Sequence, residues 1–214
     1  MSTFSILGDS ISTFEGYIPK GYDCFFPRSG YSVVSVDQTW WRLFEKRSGF
    51  TLLLNDSYSG SRISKTGIEH PHSSAFVATE RLSILPPSDF LIIFGGTNDW
   101  GQPMRQASLK CFRDSYALLI QLLLAKKEIH DLYFCTPLVR TDIPSIDEKN
   151  QKGWSERQLH DVIREETAKA KDGRVHLVDL ASIPLAPGDL EDGLHPTVKG
   201  MELICGEMLK SFGV

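Results

Sequence analysis

The chain has 214 residues, enough for one domain over 1–214 with a substantial core. Its 23 Lys/Arg against 27 Asp/Glu give a net charge of −4 with no dense basic run, which argues against nucleic acid and acidic membrane surfaces as partners. No apolar stretch is long enough to span a bilayer, so membrane insertion is not expected.

Met1-Ser2-Thr3 lead straight into an apolar run without a basic region or a cleavable apolar stretch, so the chain reads as cytoplasmic. Cys24, Cys111, Cys135 and Cys205 are scattered and form no CxxC pair, as free thiols of a reducing compartment would be. Phe4 to Leu7 is a short apolar run ending in Gly8-Asp9-Ser10, the pattern of a buried strand that meets a turn. Gly8 permits a sharp bend there. Ser10 then stands at the strand's carboxyl end, either as a helix cap or as a nucleophile whose own N–H can steady an oxyanion.

Phe14 to Asp37 is rich in Tyr and Phe and punctuated by Gly and Pro. It reads as a long loop that either walls a substrate pocket or packs on the sheet. Thr39 to Arg47 has helical spacing and Gly49 ends it. Thr51 to Leu54 is a second strand, and Asn55 to Gly60 a polar loop. Ser73 to Leu85 is helix-like, up to Pro86-Pro87. Asp89 to Phe94 is a third strand, running into Gly95-Gly96-Thr97-Asn98-Asp99. Gln106 to Glu128 is a long helix, and Asp131 to Cys135 a fourth strand. Arg140 to Lys152 is a polar surface loop. Trp154 to Lys171 is an amphipathic helix, Val175 to Val178 a fifth strand, Ala181 to Leu194 a loop, and Thr197 to Leu209 the last helix. Strands alternating with helices imply right-handed β-α-β units and a three-layer α/β/α domain.

Clusters of polar residues follow strands 1, 2, 3 and 5, whose ends share one edge of a parallel sheet. His195, in Asp192-Gly193-Leu194-His195-Pro196, can act as a general base toward Ser10. Pro196 fits the first position of the last helix, and Asp192 can accept the imidazole Nδ1 hydrogen bond. Asn98 offers two amide N–H donors for a developing oxyanion, and Gly60 an unshielded backbone N–H. Each of these two alone could be an ordinary turn residue; together with Ser10 and His195 they form a set.

These residues resemble the SGNH hydrolases, the GDSL esterase/lipase family. Gly8-Asp9-Ser10, Asn55-x-x-x-Ser59-Gly60, Gly96-x-Asn98-Asp99 and Asp192-x-x-His195-Pro196 match its four blocks in order. The chain departs at the second position after the serine, where Ser12 leads into Phe14-Glu15-Gly16-Tyr17. The resemblance implies a flavodoxin-like sheet of five parallel strands. It also implies a Ser10-His195-Asp192 triad, and an oxyanion hole from the Ser10 N–H, the Gly60 N–H and the Asn98 side chain.

Elsewhere, Asp9 and Asp99 are expected to brace loops. His70 and His72 read as surface residues, and His130, His160 and His176 have no evident partners. Asp179 is a rival acid without the short spacing to His195. Arg62 could meet a substrate carboxylate or sugar hydroxyl, or lie on the surface. The expected activity is hydrolysis of short-chain acyl esters through an acyl-enzyme, such as O-acetyl groups on a carbohydrate, without a metal or organic cofactor. A lysophospholipase or thioesterase, or an inactive binding module, is the alternative. Activity should fall in acid with a midpoint near the unperturbed histidine value of about 6.5.

Overall fold

The computed structural model describes residues 2–65, 74–102 and 106–214. Five parallel strands, β1 (Thr3–Gly8), β2 (Thr51–Ser57), β3 (Ser88–Phe94), β4 (Ile129–Cys135) and β5 (Val175–Val178), form one sheet in the order β2-β1-β3-β4-β5. This is the flavodoxin-like α/β order, with its switch point between β1 and β3. The pleat sorts the side chains. Phe4 and Ile6 of β1, with Phe90, Ile92 and Phe94 of β3, face α1 (Trp40–Ser48) and α6 (Val198–Phe212). Leu7, Leu91 and Ile93 face the opposite way, onto α4 (Leu109–Leu124) and α5 (Glu156–Lys169). The register Ile6↔Ile92 and Leu7↔Ile93 keeps like-facing residues side by side. Burial of each such side chain contributes about 1.5–3 kcal/mol, so a one-residue slip would be costly. No helix among the described residues is long and apolar enough to cross a membrane.

Helix ends follow their caps. Thr39 accepts the Arg42 N–H to open α1, and Gly49, at φ +75°, closes it. The last helix starts later than the proline suggests. Thr197 is its cap, accepting the Gly200 N–H at 3.2 Å, so Pro196 lies one residue outside the helix rather than at its first position.

Three elements depart from the sequence reading. β2 continues through Asn55, Asp56 and Ser57, which the sequence presents as loop. These polar residues stay in the strand because buried partners receive them: Asn55 Nδ2 donates to the Ser12 carbonyl at 2.8 Å, Asp56 pairs with Arg81, and Ser57 Oγ donates to Asn55 Oδ1. The helix expected from residue 73 is only α2 (Thr79–Ser83). Just before it, backbone groups bond elsewhere: the Phe76 N–H donates to the Arg62 carbonyl, and the Ser74 carbonyl accepts from Arg81 Nη1. The stretch after β3, read as a strand end, forms a short helix over Thr97–Gly101, and the remaining helices and strands match the sequence reading to within a few residues at their ends.

Candidate active site

All five strands run the same way, so their carboxyl ends share one edge. β1 ends at Gly8, and a Cβ there would sit 2.4 Å from Ser57 Oγ. Gly8 does not take a left-handed φ. Its role is therefore close approach of two strand ends, not the sharp bend expected from the sequence. Asp9 caps the following 3-10 turn, Ser10–Ser12, accepting the Ile11 N–H at 3.1 Å. Ser12 anchors that turn from below. Its Oγ accepts from Trp40 Nε1 at 3.1 Å, and its carbonyl from Trp41 Nε1 at 2.9 Å. Thr13 Oγ1 donates to the Ser10 carbonyl and accepts the Phe25 N–H, both at 2.9 Å.

At the other end of the chain, a loop places His195 against this turn. His195 Nε2 lies 2.9 Å from Ser10 Oγ, and His195 Nδ1 lies 2.8 Å from Asp192 Oδ2. Both the serine and the imidazole are buried. Asp192 Oδ1 accepts the backbone N–H groups of Leu194 (3.1 Å) and His195 (2.8 Å), and Oδ2 also accepts from Tyr31 OH at 3.0 Å. Partial burial works against its ionisation. The His195 amide, the imidazole and the Leu194 amide outweigh that and hold its carboxyl down at about 2. Burial of the His195 ring lowers its pKa below the ordinary value, more than Asp192 raises it; Arg140 and Arg28 add to the lowering. A neutral imidazole with its Nδ1–H on Asp192 can take a proton from the serine.

The donor side is built by β2 and β3. Gly60 has φ +76°, a conformation that favours glycine, and sits in the turn that follows β2. Asn98 lies in α3 (Thr97–Gly101), directly after β3. Its Nδ2 donates one hydrogen to the Ser61 carbonyl at 2.9 Å, leaving the second N–H for another acceptor. Gln102 bridges the two: its Nε2 donates to the Gly60 carbonyl at 3.1 Å and to Asn98 Oδ1 at 3.3 Å. The Tyr58 N–H and Ser61 Oγ both donate to the Gly8 carbonyl, tying this turn to the residues before Ser10. Asp99 braces the same region, accepting from the Ile63 and Ser64 N–H groups at 2.8 and 3.0 Å.

Beneath both lies a buried ion pair, Arg81 Nε at 2.9 Å from each oxygen of Asp56, with both side chains fully buried. Arg81 Nη2 also reaches the Gly8 carbonyl at 3.2 Å.

Sequence reasoning missed Gln102, Tyr31 and Phe25, and the Arg81–Asp56 pair. Gln102 could have been found, because it lies four residues after Asn98 on one helical turn. The density of rings in 14–37 pointed toward Phe25 and Tyr31. Nothing local marks Arg81. Other expectations need correction. Arg62 is buried beside Asp99, not on the surface. His176 pairs with Asp131 at 2.8 Å and His130 with Asp89 at 3.6 Å, across neighbouring strands. Burial pushes His160 down to about 4, and the Arg164 charge adds to this. Asp179 bonds Arg164 and Thr136. His70 and His72 lie outside the described residues.

The sequence model described as GDSL-like lipase/acylhydrolase matches residues 2–212. The chain belongs to this family. Among solved structures, a candidate GDSL-like lipase from Bacteroides ovatus is 28% identical, with 100% of this chain and 98% of that one covered at a TM-score of 0.72. A second, from Bacteroides uniformis, is 26% identical over 99% and 95% at 0.71. A carbohydrate acetylesterase family member from Sinorhizobium meliloti is 14% identical over 100% of both chains at 0.69, a likeness of fold. No match is found among curated proteins. Three of the four sequence blocks lie at the ends of β1, β2 and β3, and the His195–Ser10 contact brings the fourth, before α6, to them.

Proposed function

We propose that the protein is a serine esterase that cleaves short-chain acyl esters through an acyl-enzyme, with O-acetylated carbohydrates as its substrate class. The observation that carries this reading is the unbroken Ser10 Oγ–His195–Asp192 hydrogen-bond chain, at 2.9 and 2.8 Å. In the first step, Ser10 Oγ attacks the ester carbonyl and its proton passes to His195 Nε2. Asp192 holds the ring's Nδ1–H and balances the imidazolium. The negative oxygen of the tetrahedral intermediate rests on the N–H groups of Ser10 and Gly60 and on the free Asn98 Nδ2–H. His195 then gives its proton to the departing alcohol. In the second step it takes a proton from the water that attacks the acyl-enzyme, then delivers that proton to Ser10 Oγ as the acid departs.

Support for the carbohydrate class is of two kinds. The aromatic residues near the site are interleaved with polar ones, a mixture suited to sugar rings. Solved proteins of like fold include two Sinorhizobium meliloti proteins described as carbohydrate acetylesterases.

Ser10→Ala is expected to remove nearly all turnover of p-nitrophenyl acetate, because such residues act as a unit. Wild-type turnover in that variant would end the mechanism. Turnover should fall from acetyl through butyryl to octanoyl esters and be appreciable on acetylated sugars. Preference for octanoyl would move the protein to the lysophospholipase or thioesterase class. With His195 depressed by burial, kcat/KM should fall in acid with a midpoint below the ordinary histidine value of about 6.5. A profile flat down to about pH 4 would exclude His195 as the base.

A further inference from the structure

The aromatic loop does not simply pack on the sheet. Phe25 lies flat against the His195 ring, with centroids 3.5 Å apart and planes 9° from parallel. Tyr31 meets Phe25 edge-on at 5.2 Å, and the Arg28 guanidinium sits over both rings, at 5.0 and 5.7 Å. The same segment is fastened at several points. The Phe25 N–H bonds Thr13 Oγ1, which also holds the Ser10 carbonyl. The Ser32 N–H donates to Glu191 at 2.7 Å, and Ser32 Oγ accepts the Val198 N–H at 3.1 Å.

Asp192 is the focus of these contacts. Of its four donors, three come from Leu194 and His195 in its own loop. The fourth is Tyr31 OH, 161 residues distant in sequence and bound to the same oxygen as the imidazole. A carboxylate oxygen accepts about two such bonds comfortably, so the Tyr31 hydroxyl completes Oδ2. It fixes where that oxygen sits, and it shares the Oδ2 lone pairs that would otherwise face the imidazole alone.

We propose that Tyr31 is a positioning residue for the Asp192–His195 pair, acting with Phe25 as a clamp on the base. This rests on the Ser10-His195-Asp192 assignment above. The clamp acts in two ways. It holds the imidazole at the orientation that faces Ser10. It also limits how strongly Asp192 favours the protonated ring, and so keeps His195 a free base in mild acid.

The test is Tyr31→Phe, which keeps the ring under Arg28 and against Phe25 while deleting one hydroxyl. The other charged groups facing the pair remain: Arg28 on the clamp, Glu191 on the Asp192 loop, and Arg140 with Asp142 after β4. Without the hydroxyl, Asp192 Oδ2 keeps only the imidazole as donor, while Oδ1 keeps its two backbone N–H groups. The acid limb of kcat/KM should move up by about half a pH unit. Turnover should fall about tenfold, since orientation is partly lost, with KM nearly unchanged. The rate at which a phosphonofluoridate labels Ser10 should show the same shift without any choice of substrate. An acid limb that superimposes on wild type by both readouts would overturn the proposal, whatever the turnover. Failure of the underlying assignment looks different: wild-type protein would not be labelled at Ser10, or Ser10→Ala would keep its activity.

Discussion

Asp9 and Asp192 each stand beside one partner of the Ser10–His195 hydrogen bond, yet their surroundings drive them in opposite directions. Asp9 adjoins Ser10 and is only 1% exposed. Desolvation pushes its carboxyl up to about 7, and the Ile11 N–H and the Arg81 charge recover only part of that. Asp192 is more exposed, collects four donors, and is held at about 2. The contrast extends to the two halves of the site. Ser10 and the proposed oxyanion donors sit in a buried polar lattice of strand ends, held by Arg81, Asp56, Asp99, Gln102 and Ser12. The proposed base, His195, is buried as well, but on a loop held by short-range bonds and by rings from 14–37. The difference suits the proposed chemistry. Donors to an oxyanion act as fixed dipoles and gain from rigidity and dryness. A base must carry a proton to two different leaving atoms and meet water in between.

The largest difference between the halves should appear in stability. Arg81→Met leaves the Asp56 carboxylate in a site where burial alone already pushes its pKa up. Loss of one partner of a buried pair costs about 3–5 kcal/mol. Arg140→Met breaks the pair with Asp142 on the base side, where the aspartate is half-exposed, and should cost about 1 kcal/mol or less. Urea unfolding of both variants checks this. Equal losses would mean that the two halves are equally buried in energetic terms.

Catalysis should separate the donor from its support. Asn98→Ala removes the side-chain donor and is expected to lower kcat about 100- to 1000-fold. Gln102→Ala leaves the donor and its bond to Ser61 in place but removes the bonds to Asn98 Oδ1 and to the Gly60 carbonyl. Its expected cost is about tenfold in kcat. Steady-state kinetics on p-nitrophenyl acetate distinguishes them. A Gln102→Ala defect as large as that of Asn98→Ala would show that orientation, not the donor itself, dominates this side.

The two halves also differ in how they can be read from sequence. Asp192 and His195 announce themselves by spacing: three residues in one turn suffice to join carboxylate and ring. Ser10 and Asn98 are marked by the strand that precedes each. The alternation of strands and helices follows from the apolar runs, whereas the flavodoxin-like sheet is implied by the family resemblance. What sequence hides is whatever closes over a long separation. Asn55, Asp56 and Ser57 look like loop because their partners, Ser12 and Arg81, are distant along the chain. Tyr31 is one of many rings until the fold brings it to Asp192. His176 finds Asp131 only because β4 and β5 are neighbours. Polar residues that need a buried partner to make sense are legible only once that partner is placed.

The smallest effect, and the one that bears most directly on the paired carboxylates, is the pH dependence of their contribution to stability. Asp9 has an unfolded value near 3.8 and a folded value of about 7. Between these, the folded chain keeps a proton that the unfolded chain has released. The stabilisation from this group is therefore complete below about 3.8 and is lost as pH rises through about 7. Asn at position 9 cannot ionise, and its amide oxygen can still accept the Ile11 N–H. The stability of Asp9→Asn relative to wild type should therefore rise between about pH 5 and pH 8, by on the order of 2 kcal/mol. Asp192 has the opposite sign: its contribution is present above about 3.8 and is lost only as pH falls through about 2. The Asp192 carboxylate itself therefore adds no slope over the same range, and any slope in Asp192→Asn comes from His195, whose protonated form it favours. Urea midpoints at three pH values decide the matter. A flat line for Asp9→Asn would mean that the carboxylate beside Ser10 is already ionised in the fold, and that the nucleophile's half of the site is no drier than the base's.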